Sequence, residues 1–447
     1  AAERALANIW AKTLPADRVG IHDNFFSLGG DSIISIQIVA QAREAALHLK
    51  PKHLFDFPTI AQLAAQLEEI SPTDAIQTDV VGDVLLLPIQ HWFFEHDWPN
   101  PHHYNQSMLL TVQPSVSAAD LQAALNILGS HHDALRLRFV PTETGWQQHN
   151  LPAGEPFPLT VCHLTPNRHD EQMRHHIAEA QQSLHLSDGP LARALFFPAA
   201  NNDKAHLFIT VHHLLIDGVS WRILLADLNQ CLVGRQAQRP LQLPPKTTAY
   251  QQWAYRLAQW AVEDAWQTAV SHYQTIAATP QATLCTDLDG PNTCHTTDVV
   301  TVQLDPDETQ ILLQQLPRLS QCHINSILLA ALSAACQPWL SEGAFCVGLE
   351  GHGRIPLFDD VDLSRTVGWF TSYYPVLLPA PVADNYQAAT AIDQHLAQHP
   401  HDGLAYGVIR YLHPQGETLQ IAPPVSFNYL GRFDQGDAAD RLVQPLF

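Results

Sequence analysis

The chain has 447 residues, 46% hydrophobic and 15% charged, enough for about two to four globular domains and too apolar for a disordered chain. A formal net charge of −21 argues against nucleic-acid and anionic-membrane partners, which would repel it. Seven scattered cysteines (162, 231, 285, 294, 322, 336 and 346) with no CxxC give neither a disulfide framework nor a zinc knuckle, and point to a reducing, cytoplasmic setting.

The opening AAERALANIW is already helical in pattern and carries no secretory signal, and no run of about 18 apolar residues suggests a membrane span. The chain therefore reads as a fragment of a longer one, with the final RLVQPLF a candidate truncation. Leu6, Ile9, Trp10 and Thr13 follow helical spacing. After the loop IHDNFFSLGGDS, a second helix is predicted from Ser32, with Ile34, Ile38, Ala42 and Ala45 on one stripe. FDFPT closes a short segment, and Ile60, Leu63, Ala64 and Leu67 mark a last helix. Residues 1–70 thus read as a small α-helical bundle without strands. The turn-rich Ser71–Asp83 reads as a linker, taken as 71–84. Beyond it, strand-like SMLLTV and HLFITVHH alternate with helical AADLQAALNIL and VSWRILLADLNQCL, so 85–447 reads as a large α/β (α+β) region. A Gln/Ala-rich stretch near 385–400 is predicted to be a surface helix.

Three places carry candidate chemistry. In LGGDSI, Gly29 and Gly30 permit a tight loop, and Asp31 or Ser32 can cap the helix that follows. The positive end of that helix favours a phosphodiester on Ser32; the plainer reading is that Ser32 only caps. In HHLLIDGVSW, His212 and His213 sit at a strand-to-helix turn, where a histidine can serve as acid or base near neutral pH. Asp217 can anchor that loop as helix cap or as salt-bridge partner. A double histidine occurs four times in the chain, so the pair alone says little. His212, His213 and Asp217 are metal-type ligands, but neighbours on a strand point to opposite faces, and no metal is expected. In EGHGR, Glu350 supplies a carboxylate on a glycine-rich turn; the plainer reading is a solvated glutamate paired with Arg354. Asp227, in mid-helix, is expected to face solvent.

Residues 1–70, with DNFFSLGGDSI at the helix start, resemble a peptidyl carrier domain of a non-ribosomal peptide synthetase. The resemblance implies 4′-phosphopantetheine covalently on Ser32, and the aspartate before the serine is similar to carriers that precede epimerization domains. HHxxxDGxSW, with PIQHWF at Pro88–Phe93, HHDALRLRF at His131–Phe139 and VSFNYLGRFD at Val425–Asp434, resembles the condensation/epimerization superfamily. That implies two chloramphenicol-acetyltransferase-like lobes, with the second histidine, His213, reactive. EGHGR, RTVGWFTSYYP at Arg365–Pro375 and PIQHWF are similar to the epimerization versions of their motifs. The family usually has a second glutamate where this chain has Ile355.

The implied activity is an isomerase: inversion of the α-carbon of an L-aminoacyl or peptidyl thioester on the carrier arm, giving an L/D mixture for D-residue incorporation. His213, Glu350 and Tyr429 are the implied catalytic residues, the first two facing each other across a tunnel between lobes. Supporting positions are His212, Asn428, and Asp217 with Arg354 as a buried pair. Racemisation needs a base, stabilisation of the developing charge and proton return, so Glu350 is expected to be a base with a raised pKa and His213 a cationic partner or acid. The implied partners are an upstream adenylation domain, a downstream condensation domain and a phosphopantetheinyl transferase. The alternatives are a condensation domain making a peptide bond and a non-catalytic docking module.

Overall fold

A computed structural model describes the chain except residues 1, 15, 17, 46, 48, 68–76, 166–167, 200–203, 264–265, 289, 292, 381, 383, 417–418, 432–440 and 446–447. Much of the 71–84 linker and the end of VSFNYLGRFD lie outside the described residues. The chain divides into two compact units, residues 1–68, 263–355 and 372–432 in one, and 69–262, 356–371 and 433–447 in the other.

The first unit begins with the three helices expected, α1 (Ala2–Thr13), α2 (Ser32–Glu44) and α4 (Ile60–Ala65), and the short segment before FDFPT is a further helix, α3 (Pro51–Asp56). Leu6, Ile9 and Trp10 of α1, Ile34, Ile38 and Ala42 of α2, and Ile60 and Leu63 of α4 form one apolar core with Phe25 and Leu54. The helices stop slightly short of the expected stripes: Ala45 is the C-cap of α2, and Leu67 lies past the end of α4. Asn24 and Thr59 form an isolated antiparallel bridge, the nearest thing to a strand in this bundle.

The second unit holds two sheets. Antiparallel β1 (Gly82–Val84), β4 (Gly145–Asn150) and β3 (Leu137–Thr142) form the smaller, in the order β1-β4-β3. β1 lies inside the stretch read as linker: its three residues pair with Gln148–Asn150, a partner some 65 residues downstream that local composition does not reveal. The larger sheet has the order β11-β2-β7-β6-β5, with β2 (Asn105–Val112), β5 (Leu159–Val161), β6 (Ala192–Phe197), β7 (Ala205–His212) and β11 (Val443–Pro445). Helix α5 (Pro88–Glu95) precedes β2, α6 (Ala118–His131) follows it, α7 (His169–Gln182) precedes β6, and α8 (Gly218–Gln236) follows β7. α8 is buried on more than one side: Trp221, Leu224, Leu228 and Leu232 are in the core, and so are Arg222 and Asp227.

The rest of the first unit is built on a mixed sheet of order β10-β8-β9, with β8 (Cys346–Gly351), β9 (Ser372–Leu377) and β10 (Val425–Phe427). β8 runs antiparallel to β9 and parallel to β10. Val347, Leu349 and Val376 join Leu329, Ala389 and Ile392 in a second core. The helix Asn385–Leu396 is the Gln/Ala-rich segment; it buries Ala389 and Ile392, half-buries Ala388 and Leu396 against the same core and exposes its first turn. Among the described residues no single helix is long and apolar enough to cross a membrane.

Candidate functional site

The histidine loop begins where β7 ends. Leu207, Ile209 and Val211 are buried on one side of the strand, and the chain then enters a short 3-10 turn at His213–Leu215 before α8 starts at Gly218. His212 is fully buried: Nε2 lies 2.9 Å from the Pro101 carbonyl and Nδ1 accepts from the Leu214 N–H at 3.3 Å. A carbonyl only accepts, so the proton is on Nε2 and the ring is a neutral brace for the turn. Burial drives its pKa down to about 3, against a smaller raising effect of the Pro101 bond. Gln90 of α5 supports the same turn with a 3.3 Å bond to the Leu214 carbonyl.

His213 has the opposite arrangement. Its Nδ1 lies 2.7 Å from the Ile216 carbonyl, which requires the proton there. Its Nε2 faces the Gln106 amide nitrogen at 2.8 Å. The ring is stacked with Tyr104 at 5.6 Å and packs against Trp369 at 4.3 Å. Burial lowers its pKa, and the carbonyl bonds and Asp217 only partly offset that. That direction runs against the cationic His213 expected from the sequence: aromatic walls replace the water that would solvate an imidazolium.

Asp217 caps α8, accepting from the Ser220 N–H at 2.8 Å with one oxygen and from the Phe370 N–H at 3.1 Å with the other. Ser220 also bonds Gly368, its hydroxyl donating to the carbonyl at 3.0 Å and lying 3.1 Å from the Gly368 N–H. These bonds lay Gly368–Phe370 on the start of α8 and bring Trp369 against His213. Further along α8, Asp227 is buried, contrary to the expectation of a solvent-facing acid. It bonds His132 at 2.9 Å and Arg365. Burial pushes its pKa up, but those two partners outweigh it and the net shift is down. HHDALRLRF, the α8 segment and RTVGWF thus converge on one buried polar cluster.

Glu350 belongs to the first unit. It is the penultimate residue of β8, paired with Tyr373 of β9, rather than part of a turn; Gly351 still belongs to the strand, paired with Ser372, and the chain leaves the strand after it. Strand alternation sorts the sheet into two faces. Val347, Leu349 and Val376 enter the core, while Glu350, Tyr373, Ser426 and Asn428 stand on the other side. Glu350 Oε2 accepts from the Asn428 amide at 2.6 Å, so its observed partner is Asn428 and not the Arg354 of the plainer reading. The Glu350 side chain is reached by solvent, yet the protein around it raises its pKa by desolvation. That shift has the expected direction.

Tyr373, which motif reading passed over, has its hydroxyl 2.9 Å from Ser426 Oγ. Burial raises its pKa, and the nearby Glu350 charge adds to the rise. A Cβ on Gly348 would lie 2.0 Å from the Tyr373 oxygen, so only glycine leaves room for this ring. A glycine two residues before the glutamate, together with the tyrosine pair of RTVGWFTSYYP, is the signal that could have found it. Tyr429 follows Asn428 beyond β10 and is half-buried. Arg354 is buried, its N–H donating to His352 Nδ1 at 3.0 Å, and Ile355 is buried too, so the missing second glutamate is replaced by a core residue.

At the start of α2, Asp31 is the cap, accepting from the Ile34 N–H at 2.8 Å. Ser32 is the first helical residue. Gly29 takes φ 88°, and a Cβ on Gly30 would strike the Phe25 ring at 2.4 Å, so both glycines are required by the loop. A phosphodiester there would meet the positive end of α2. In the same unit, the Phe26 ring lies edge-on to His323 at 5.4 Å, and Arg318 donates to the Ser27 carbonyl.

The Condensation domain family matches residues 80–444, and the phosphopantetheine attachment site family matches residues 4–67. Over 99% of its length the chain is 43% identical to one of the linear gramicidin synthase proteins of Brevibacillus parabrevis, and over 97% it is 36% identical to a surfactin synthase protein of Bacillus subtilis. It spans only 9% and 12% of those proteins. The crystal structure of the epimerization domain from the third module of tyrocidine synthetase B is similar with a TM-score of 0.75 at 29% identity, covering 80% of this chain and 81% of that one. The first condensation domain of the CDA synthetase shares the fold, with a TM-score of 0.61 at 15% identity over 83% of this chain and 86% of that one.

Proposed function

Since this chain belongs to the Condensation domain family, with a phosphopantetheine attachment region before it, we propose that it inverts the α-carbon of an aminoacyl or peptidyl thioester carried on Ser32. The observation that carries the reading is Glu350, a solvent-reached carboxylate with a raised pKa, held by Asn428 on the polar face of its sheet. Amide synthesis needs no such group, whereas moving a proton on and off carbon does. The likeness to the tyrocidine synthetase epimerization domain supports the same choice. The proposed layout is a carrier over residues 1–70, a linker over 71–84 and an epimerization domain from 85. The synthetase's adenylation domain, a following condensation domain and a phosphopantetheinyl transferase are its proposed partners.

Bound on Ser32, the pantetheine arm would supply a thioester, whose carbonyl makes the α-hydrogen acidic enough to remove. The neutral His213 Nε2 is the acceptor for that proton. The C–H electron pair is left on the α-carbon and the thioester oxygen. Glu350, its pKa raised by desolvation, carries a proton to the opposite face, with Tyr429 as donor or relay and Asn428 holding the carboxyl. In the reverse direction the ionised Glu350 accepts and the protonated His213 donates. This assignment reverses the order of proton transfer expected from the sequence; burial disfavours the charged form of each group. Asp217 and Arg354 remain the proposed supports of their two loops.

The test is to load the pantetheinylated chain with L-aminoacyl groups and follow the D/L ratio with time, using Ser32→Ala as the unloaded control. Approach to a mixture from either enantiomer supports the reading. Unchanged configuration, with a new amide formed when a second loaded carrier is added, would establish the condensation reading that the similar condensation-domain folds favour.

A further inference from the structure

His213 is useful as a proton acceptor only if its ring nitrogens are differentiated. One must hold its proton and the other must stay bare. The Ile216 carbonyl provides half of this, at 2.7 Å from Nδ1. The other half comes from β2. Gln106 pairs with Val211 in the β2–β7 ladder, so it stands on the same side as the residue two before His213. Its amide nitrogen lies 2.8 Å from His213 Nε2.

An amide group can be turned either way, and the ring nitrogen alone does not decide which. Trp221 decides. Its indole Nε1–H can only donate, and it lies 2.9 Å from the Gln106 oxygen. With that oxygen engaged as acceptor, the NH₂ group is the one that faces His213. A donor opposite Nε2 is compatible only with an unprotonated nitrogen. Trp221, Gln106, His213 and the Ile216 carbonyl thus form one chain of hydrogen bonds pointing the same way. Both of its distant ends are fixed by packing: Trp221 is buried in α8, and Ile216 is buried at the end of the turn.

We propose that Gln106 is a positioning residue of the reaction assigned above: clamped by Trp221, its amide sets the tautomer of His213 and keeps Nε2 a proton acceptor. The same contact makes Gln106 a placeholder, which the α-hydrogen of the bound thioester must displace from Nε2. This inference rests on the proposed function for its purpose, but the tautomer it specifies is a property of the protein alone.

The test is therefore spectroscopic first. Pantetheinylated protein labelled with ring-¹⁵N histidine is compared with His213→Ala to assign His213, and long-range ¹H–¹⁵N correlations identify the nitrogen that carries the proton. The expected result is Nδ1–H with an unprotonated Nε2 at neutral pH. An Nε2–H ring in the wild type would overturn the proposal. Gln106→Glu places an anionic acceptor at Nε2, so both ring nitrogens then face acceptors. The ring should gain a second proton, its titration should move to higher pH, and the acid limb of the rate profile should move with it. The rate below that limb should fall about 10²-fold, the lower end for an acid–base group. A folded Gln106→Glu protein with an unmoved His213 titration contradicts the proposal. If that variant fails to fold, Trp221→Phe removes the clamp instead: a mixture of tautomers is expected, and a spectrum identical to the wild type counts against the assignment. The expected tautomer in a protein that does not epimerize would sink the proposed function and leave the tautomer assignment standing.

Discussion

The histidine loop and the glutamate face solve opposite problems. His213 is enclosed by Tyr104 and Trp369, and both its ring nitrogens are engaged, by Ile216 and Gln106. Glu350 is open to solvent and held on one oxygen by the Asn428 amide. Enclosure lowers the basicity of the imidazole, and incomplete solvation raises that of the carboxylate. The lesson is that desolvation acts on the charged form, so one physical cause moves a cationic acid and a neutral acid in opposite directions. Two groups whose ordinary pKa values differ by about two are thereby shifted toward one another.

The largest expected effect comes from removing either member. His213→Ala and Glu350→Gln should each slow epimerization by about 10²–10⁴-fold without unfolding the chain. The wild-type rate should be bell-shaped in pH, and each variant should lose one limb. A wild-type rate in either one removes that residue from the mechanism.

Next is the cluster under the histidine loop. Asp227→Asn removes the charge that His132 and Arg365 share in a buried site, and breaking such a pair typically costs about 3–5 kcal/mol. Urea denaturation measures this, and a midpoint shift equivalent to less than about 1 kcal/mol would show that the cluster is loosely held.

Acid should weaken both compact units in one pH window. His131, His212 and His399 have pKa values lowered by burial to about 4, 3 and 4. The unfolded chain binds their protons from about pH 6.5 downward, so their contribution is complete above that and is lost progressively as pH falls toward about 4 and 3. Stability measured from neutral pH down through that window should decline steadily. A flat profile would mean these rings are hydrated in solution.

A smaller effect belongs to the glutamate face. Gly348→Ala must push the Tyr373 ring off its place, at about 1–3 kcal/mol for an overpacked site. It should also break the Tyr373–Ser426 bond. Unchanged stability would mean the ring moves freely and does not organise the surroundings of Glu350.

Local pattern carried a good deal of this. The bundle helices, β2, β7 and α8 all follow from apolar spacing, and Asp217 as a cap follows from its place before the helix. The misses share one cause, which is pairing across long sequence distances. Asp227 looked solvent-facing because its partners lie 95 and 138 residues away. Glu350 looked like a turn residue because the glycines after it are visible in sequence and its ladder partner Tyr373 is not. β1 looked like linker for the same reason. The enclosure of His213 was not legible because Tyr104, Gln106 and Trp369 come from other places in the chain.

The most direct test of the central claim follows deuterium. Pantetheinylated chain is loaded with an L- or a D-aminoacyl group in D₂O, and one turnover is analysed for isotope and configuration. The account predicts that wild type incorporates deuterium with inversion from both starting points. It predicts that Glu350→Gln exchanges the α-hydrogen of one enantiomer only, with retention, because His213 can remove and return a proton on its own face but nothing serves the other. Inversion at an undiminished rate in Glu350→Gln, or no deuterium in the wild-type product from either enantiomer, would contradict the account.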